Sequence, residues 1–206
     1  VIEMARWGGA AMSEVDRVGK RLKDKVGDNE AWGNEWEKEA RRIENMGDDA
    51  AAAQHPLSAA GHYLRAATYY FVGERFVAPG AKKTELYQNC LRCFRAGIKG
   101  RYPNIERVEV KYEGTTLPAW FMKAPVAGRA PTVCFFDGLD STKELSILCG
   151  GVELALRGIH TLAIDGPGQG EALRLQGIPS RPDYEVPAGA AYDYVASRAD
   201  VDPRRV

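Results

Sequence analysis

The sequence predicts an α/β fold in which an N-terminal helical domain precedes an antiparallel β-hairpin and a parallel βαβ unit. Three observations carry this. Residues 1–101 hold apolar side chains at helical spacing throughout. Val108, Val110 and Tyr112 alternate with Glu109 and Lys111 before the turn Glu113-Gly114-Thr115-Thr116, the pattern of a half-buried hairpin strand. Residues 131–171 then read strand, glycine turn, helix, strand, glycine turn. The change of pattern at Tyr102-Pro103 divides the chain into a helical domain, 1–101, and a sheet-forming domain, 102–206.

In the helical domain, Ser13 suits an N-cap for a helix with Val15, Val18, Leu22 and Val26 on one face, ending at Gly27. A second helix starts at Asn29 and aligns Trp32, Trp36, Ala40 and Ile43, with charged residues on its other side. Two tryptophans on one stripe suit packing on a neighbouring helix better than a ligand pocket. From Pro56 to about Phe76 a third helix is apolar nearly all round, which predicts a central place in the helical layer. Pro79-Gly80 breaks the chain, and a fourth helix runs from about Ala81 to Ile98. No second copy of this helical hairpin occurs at a fixed period, which excludes a solenoid.

In the second domain the hairpin's return strand covers Leu117 to Lys123. Thr132 to Phe136 is a short apolar run bounded by Pro131 and Gly138, suited to a parallel strand buried on both faces. Ser141-Thr142-Lys143-Glu144 has capping-box spacing for a helix that runs to about Arg157 and stops at Gly158. His160 to Ile164 is the next strand, and Asp165-Gly166-Pro167-Gly168-Gln169-Gly170 is the turn after it. Residues 178–187 read as an irregular proline-rich stretch and Ala188 to Arg198 as a helix. Residues 200–206 resemble the lead-in to a further strand. Ligand sites in open α/β sheets lie beyond the carboxyl ends of the strands, so the turns at 137–140 and 165–170 mark the functional edge.

Composition limits the partners. Lys plus Arg and Asp plus Glu each number 28, giving a formal net charge of zero. No basic stripe predicts a nucleic-acid partner, and no apolar run predicts a membrane span or signal peptide. A cytoplasmic protein is the default expectation. The four cysteines do not make a disulfide framework in a chain of 206 residues. Cys90 and Cys93 form a CxxC inside a helical apolar pattern, which reads as core rather than a zinc or redox site. The three histidines, His55, His62 and His160, are scattered and show no metal-ligand spacing.

Four stretches, in order, resemble one branch of the α/β-hydrolase superfamily. They are His55-Pro56-Leu57-Ser58-Ala59-Ala60 through Tyr69-Tyr70, the hairpin entry Val110 to Pro118, and the two turns Asp137 to Glu144 and Asp165 to Glu171. The branch contains the dihydroxypseudooxynicotine hydrolase-like carbon–carbon bond hydrolases, fungal polyketide-shortening hydrolases and fermentation-respiration-switch esterases. The resemblance implies that residues 1–101 are a lid domain and that 102–206 are the first half of a hydrolase sheet. It further implies a serine nucleophile on a G-x-S-x-G elbow, a histidine, an acid, and an oxyanion hole with one backbone donor after the third strand. That donor falls at Leu139, following Gly138, while Asp140 is a candidate substrate contact. Gly138 would permit a tight turn, and the helix starting near Ser141 would direct its positive end to the same space. Lys143 and Glu144 read as first-turn helix residues, and Asp165 as a cap for its glycine turn.

None of the six serines (Ser13, Ser58, Ser141, Ser146, Ser180, Ser197) lies in G-x-S-x-G. The expectation is therefore a chain cut before the nucleophile, inactive alone, with Thr132 to Phe136 left as an apolar edge prone to aggregation. The implied substrate is a small carbonyl compound, aromatic or polyketide-like, cleaved at an ester or at a carbon–carbon bond. Trp32, Trp36, Tyr63 and Tyr70 would suit such a ligand. Dimerisation through the helical domain is compatible with the sequence. Two other readings compete: a non-catalytic helical interaction module on a degenerate hydrolase platform, and a nucleotide-binding domain. The second is weakened by G-x-G-x-G spacing where G-x-G-x-x-G is needed.

Overall fold

A computed structural model describes residues 1–138 and 140–206. The chain forms two compact units, Val1–Pro103 and Asn104–Val206. The first is helical. After a 3₁₀ segment at Ile2–Trp7 come α1 (Met12–Leu22), α2 (Asn29–Ala52), α3 (Pro56–Glu74) and α4 (Ala81–Arg101).

Asp28 caps α2 by accepting from the Ala31 amide at 2.8 Å, and Pro56 occupies the first turn of α3, where its missing N–H costs nothing. The central place expected for α3 is observed: it packs against both α2 and α4, and its residues from Ala66 to Glu74 are all buried. Its tyrosine hydroxyls find acids. Tyr69 donates to Glu14 at 2.6 Å, and Tyr70 to Glu44 at 2.7 Å. The tryptophan stripe packs on α3 as well. Trp32 Nε1 donates to the Val72 carbonyl at 2.8 Å, and Trp36 stacks on Tyr69 with centroids 5.4 Å apart. Cys90 and Cys93 are buried in α4, where burial and the neighbouring Glu44 push the Cys93 thiol up to about 12. The first helix is shorter than its apolar pattern suggests. It ends at Leu22 with Ala11 at its N-cap, and Val26 is 94% exposed.

The second unit contains β1 (Ile105–Tyr112), β2 (Thr115–Met122), β3 (Thr132–Phe136) and β4 (His160–Ile164). Among the described residues they form one sheet in the order β1-β2-β4-β3. β1 and β2 are an antiparallel hairpin whose two-residue turn, Glu113-Gly114, has positive φ at both positions, the geometry that matches strand twist. β2 is antiparallel to β4, and β3 is parallel to β4 in the register Thr132↔His160 to Phe136↔Ile164. One face of the sheet packs Leu117, Ala119, Phe121, Leu162 and Ile164 against Ala172, Ala191 and Val195.

Several local expectations are corrected. β3 is the outermost strand, so only Thr132 is fully buried and the residues from Val133 to Phe136 are half-buried. Its outer edge is partly covered. The Thr132 amide donates to the Arg205 carbonyl at 3.0 Å, and Ala130 forms a parallel bridge with Val201. The helix after β3 is not uniform: α5 (Lys143–Ser146) passes through a π-helical turn, Ile147–Gly151, into α6 (Val152–Leu156). Gly158, with φ +78°, closes that helix as expected. A short helix, α7 (Gly170–Arg174), follows the second glycine turn, where the sequence suggested none. The final helix, α8 (Glu185–Ala196), starts three residues earlier than its apolar pattern suggested. No helix among the described residues is long and apolar enough to cross a membrane.

Candidate active site

The turns after β3 and β4 lie side by side at the carboxyl ends of two parallel strands, where open α/β sheets place their ligands. The first turn carries the residues singled out in the sequence. Gly138 and Asp140 are exposed, while Leu139 lies outside the described residues. The Ser141 amide donates to the Gly138 carbonyl at 3.3 Å. Gly138 does not have a positive φ, and a Cβ there would meet nothing within 4 Å. Its glycine is therefore not demanded by a tight turn; it leaves the space beside the backbone open.

The expected capping box is absent. Thr142 is the N-cap residue of α5 and makes no side-chain cap bond. The Lys143 amide instead donates to Asp165 Oδ1 at 2.9 Å, so a carboxylate from the other turn occupies the helix's positive end. Lys143 Nζ reaches Asp165 Oδ2 at 2.6 Å, Glu144 Oε1 at 2.9 Å and Glu171 Oε2 at 2.9 Å. Glu144 also accepts from Trp120 Nε1 at 2.7 Å, and Arg107 clamps Glu171 with two bonds of 2.7 and 3.1 Å. Lys143 and Asp165 are wholly buried, and Glu144 is 1% exposed.

Two cations thus face three carboxylates. Burial would lower the Lys143 pKa, but Asp165, Glu144 and Glu171 outweigh it and hold the ammonium charged. Burial would likewise raise Glu171, yet Arg107 and Lys143 hold it at about 2. Burial, with Glu144 nearby, pushes Asp165 upward. Asp165 also accepts from the Glu171 amide at 2.7 Å, which caps α7. A Cβ on Gly170, whose φ is +36°, would collide with both carboxylate oxygens of Asp165. Only glycine admits the carboxylate there.

This arrangement bears on the dinucleotide reading. A pyrophosphate needs a helix N-terminus after the glycine turn. Here that position is filled by Asp165, on a helix of five residues.

At the start of the first turn, Asp137 accepts from Ser146 Oγ through Oδ1, and its backbone carbonyl accepts from Gln169 Nε2. Burial pushes the Asp137 carboxyl up to about 6. Gln169 Oε1 in turn accepts from the Gly166 amide at 2.9 Å. Histidine chemistry is not assembled here. His160, the sole histidine in the second unit, is fully buried, with Nδ1 accepting from the Ala124 amide at 2.9 Å and Nε2 3.1 Å from the Asp200 carbonyl. The two turns thus combine an exposed backbone at Gly138 with the buried charges of Lys143, Glu144 and Asp165.

The sequence reading missed the bracing residues Arg107, Trp120, Gln169 and Glu171, and took Lys143 and Glu144 for ordinary first-turn residues. The available signal was slight: Lys143-Glu144 and Asp165…Glu171 flank the two turns, but nothing local pairs them.

No protein-family model matches the chain. Among curated proteins, the alpha/beta hydrolase pydG of an Acremonium species is 32% identical over 203 residues, covering 95% of this chain and 47% of pydG. The 2,6-dihydropseudooxynicotine hydrolase of Paenarthrobacter nicotinovorans is 33% identical over 198 residues, covering 93% of this chain and 51% of that enzyme. The crystal structure of the 2,6-dihydroxy-pseudo-oxynicotine hydrolase superposes with a TM-score of 0.78 at 24% identity, over 95% of this chain and 53% of that one, a likeness of fold. The chain spans about half the length of the curated relatives it matches. By these matches, and by its helical region followed by a mixed sheet with two glycine turns, the chain belongs to the alpha/beta hydrolase family related to the fungal hydrolases and to 2,6-dihydropseudooxynicotine hydrolase.

Proposed function

We propose that the turn after β3 supplies one half of the oxyanion hole of a serine hydrolase, whose nucleophile, acid and histidine come from residues outside these 206. The observation that supports this best is the open backbone turn at Gly138, at the carboxyl end of a parallel strand and beside a second glycine turn. The donor in this reading is the Leu139 amide, and Asp140, exposed on the same turn, contacts substrate. A substrate carbonyl is attacked by the serine, the carbonyl π pair becomes an oxyanion, and the backbone donors stabilise that charge. One such donor contributes about 3–4 kcal/mol to the transition state. The oxyanion collapses, breaking the bond to the alcohol of an ester or to the enolate of a ketone; that leaving group takes the proton the histidine removed from the serine, and water then hydrolyses the acyl-enzyme.

The substrate class in this reading is a small carbonyl compound cleaved at an ester or at a carbon–carbon bond next to a ketone. The resemblance to the carbon–carbon bond hydrolases of this branch favours the second. The helical residues 1–101 serve as the lid domain, an assignment by resemblance. No cofactor is required. The test is to treat the polypeptide carrying the nucleophile with a fluorophosphonate probe, then assay p-nitrophenyl esters against a β-diketone. Labelling with turnover of either substrate is the expected result. No labelling and no turnover overturn it, and would favour the competing reading of a helical interaction module, for which the lack of G-x-S-x-G in these residues speaks.

A further inference from the structure

We propose that Gln169 and Asp165 are positioning residues: the turn after β4 holds both ends of the Asp137–Lys143 segment and so sets where its backbone donor sits. This rests on the hydrolase reading above for its consequence, though not for its geometry.

Within the segment, Ser141 bonds both the Gly138 carbonyl and the Asp137 carboxyl. Gly138 is exposed, a Cβ there would meet nothing within 4 Å, and among the described residues its carbonyl accepts from the Ser141 amide at 3.3 Å. The segment's ends are also fixed from outside. At the start, Gln169 Nε2 donates to the Asp137 carbonyl, while Gln169 Oε1 is held by the Gly166 amide at 2.9 Å. The second contact orients the amide group, so its nitrogen has one direction left to point. Ser146 Oγ, on the helix that follows, grips the Asp137 carboxylate as well. At the far end, Asp165 takes both the backbone and the side-chain nitrogen of Lys143, at 2.9 and 2.6 Å. Asp165 is itself fixed by the Glu171 amide at 2.7 Å. Gln169 is 8% exposed and Asp165 is wholly buried, so neither clamp is loosened by solvent.

Such anchoring matters because an oxyanion donor works by being in place before charge develops. A shift of about 1 Å in a donor can cost on the order of 100-fold in rate. The second glycine turn is thereby given a role without touching substrate.

The test compares Gln169→Met and Asp165→Asn with the parent, in the polypeptide that carries the nucleophile. Gln169→Met keeps side-chain volume and removes both bonds, and it decides the matter if Asp165→Asn fails to fold. The expected result is a fall in kcat of about 10- to 100-fold with KM changed less than about threefold, the signature of a donor misplaced only for the transition state. Affinity for a trifluoromethyl ketone, which adds the serine to form a tetrahedral oxyanion, falls in parallel, whereas affinity for the corresponding unreactive alcohol does not. Hydrogen exchange is read independently on the 206-residue chain, and the amides of 137–143 exchange about tenfold faster in the variants while the β1–β2 hairpin is unchanged. If exchange stays within about twofold of the parent, or if it accelerates while kcat is unaltered, the positioning role is wrong. A parent polypeptide without turnover sinks the hydrolase reading instead, and the exchange result still decides the anchoring.

Discussion

Replacing Lys143 by methionine removes the centre of the buried charge cluster while keeping most of its volume. Lys143 is wholly buried and bonds three carboxylates at 2.6, 2.9 and 2.9 Å. Without it, Asp165 and Glu144 lose this buried ammonium, while Glu171 keeps its two bonds from Arg107. Breaking a buried pair by removing one partner costs about 3–5 kcal/mol, because the other charge stays desolvated. That is a large share of the roughly 5–15 kcal/mol that holds a domain together. For a unit of about 100 residues each kcal/mol shifts Tm by about 4–8 °C, so Lys143→Met is expected to lower it by roughly 15 °C or more. The deficit also depends on pH. In the parent, Glu171 is held at about 2, so its contribution is present above the unfolded value near 4.5 and lost as pH falls through about 2. In the variant the carboxylates rise toward protonation, and the deficit should be smaller at pH 5 than at pH 8. Urea unfolding followed by the Trp120 indole N–H resonance, which reports on Glu144 directly, measures both effects. Lys111→Met, at an exposed lysine, is the control. A Lys143→Met protein within about 1 kcal/mol of the parent at pH 8 would refute the cluster's structural role.

Gly170→Ala places a Cβ against the Asp165 carboxylate at a left-handed φ, and should cost at least about 2 kcal/mol in urea titrations. Asp137→Asn should act in the opposite direction. The Asp137 carboxyl is raised to about 6 by burial, so the native state holds a proton that the unfolded chain releases near 3.8, and its penalty grows as pH rises between those values. The asparagine variant is expected to gain about 1–3 kcal/mol at pH 7.5 and to flatten the stability profile between pH 4 and 6, read by thermal melts across pH. Thiol titration with a disulfide reagent should find Cys149 reactive in the native protein, since it is exposed, while Cys93, buried and pushed up to about 12, reacts only on unfolding. Equal rates at the two thiols would contradict the packing of α4.

Much of this architecture was legible locally. The helices of the first unit, the hairpin and the two parallel strands each announce themselves by a period of 3.6 or 2 and by glycine or proline stops. The two glycine turns after β3 and β4 were legible for the same reason. What local pattern could not carry was pairing across the chain. Arg107, Trp120, Lys143, Asp165 and Glu171 come from β1, β2, α5, the second turn and α7, and only the fold makes them one cluster. The capping-box spacing at Ser141–Glu144 misled because Glu144 has a stronger offer from Trp120 and Lys143 than from the backbone. The π-helical turn at Ile147–Gly151 has no signature in its residues. Val26 continued an apolar stripe in sequence after the helix had already ended at Leu22.

The strand order β1-β2-β4-β3 has a consequence for how the sheet comes to exist. β4 is the last of the four strands in sequence, yet it lies between two that precede it. Until His160–Ile164 arrives, β2 and β3 have no shared neighbour, and the hairpin waits with one side unpaired. The helical unit, built from contacts close in sequence, has no such wait. During synthesis at about 5–20 residues per second, the roughly forty residues from the end of β2 to the end of β4 take about 2–8 s. For those seconds the nascent chain carries a helical unit whose contacts are already available and a hairpin not yet joined to β3, and the arrival of five residues joins them.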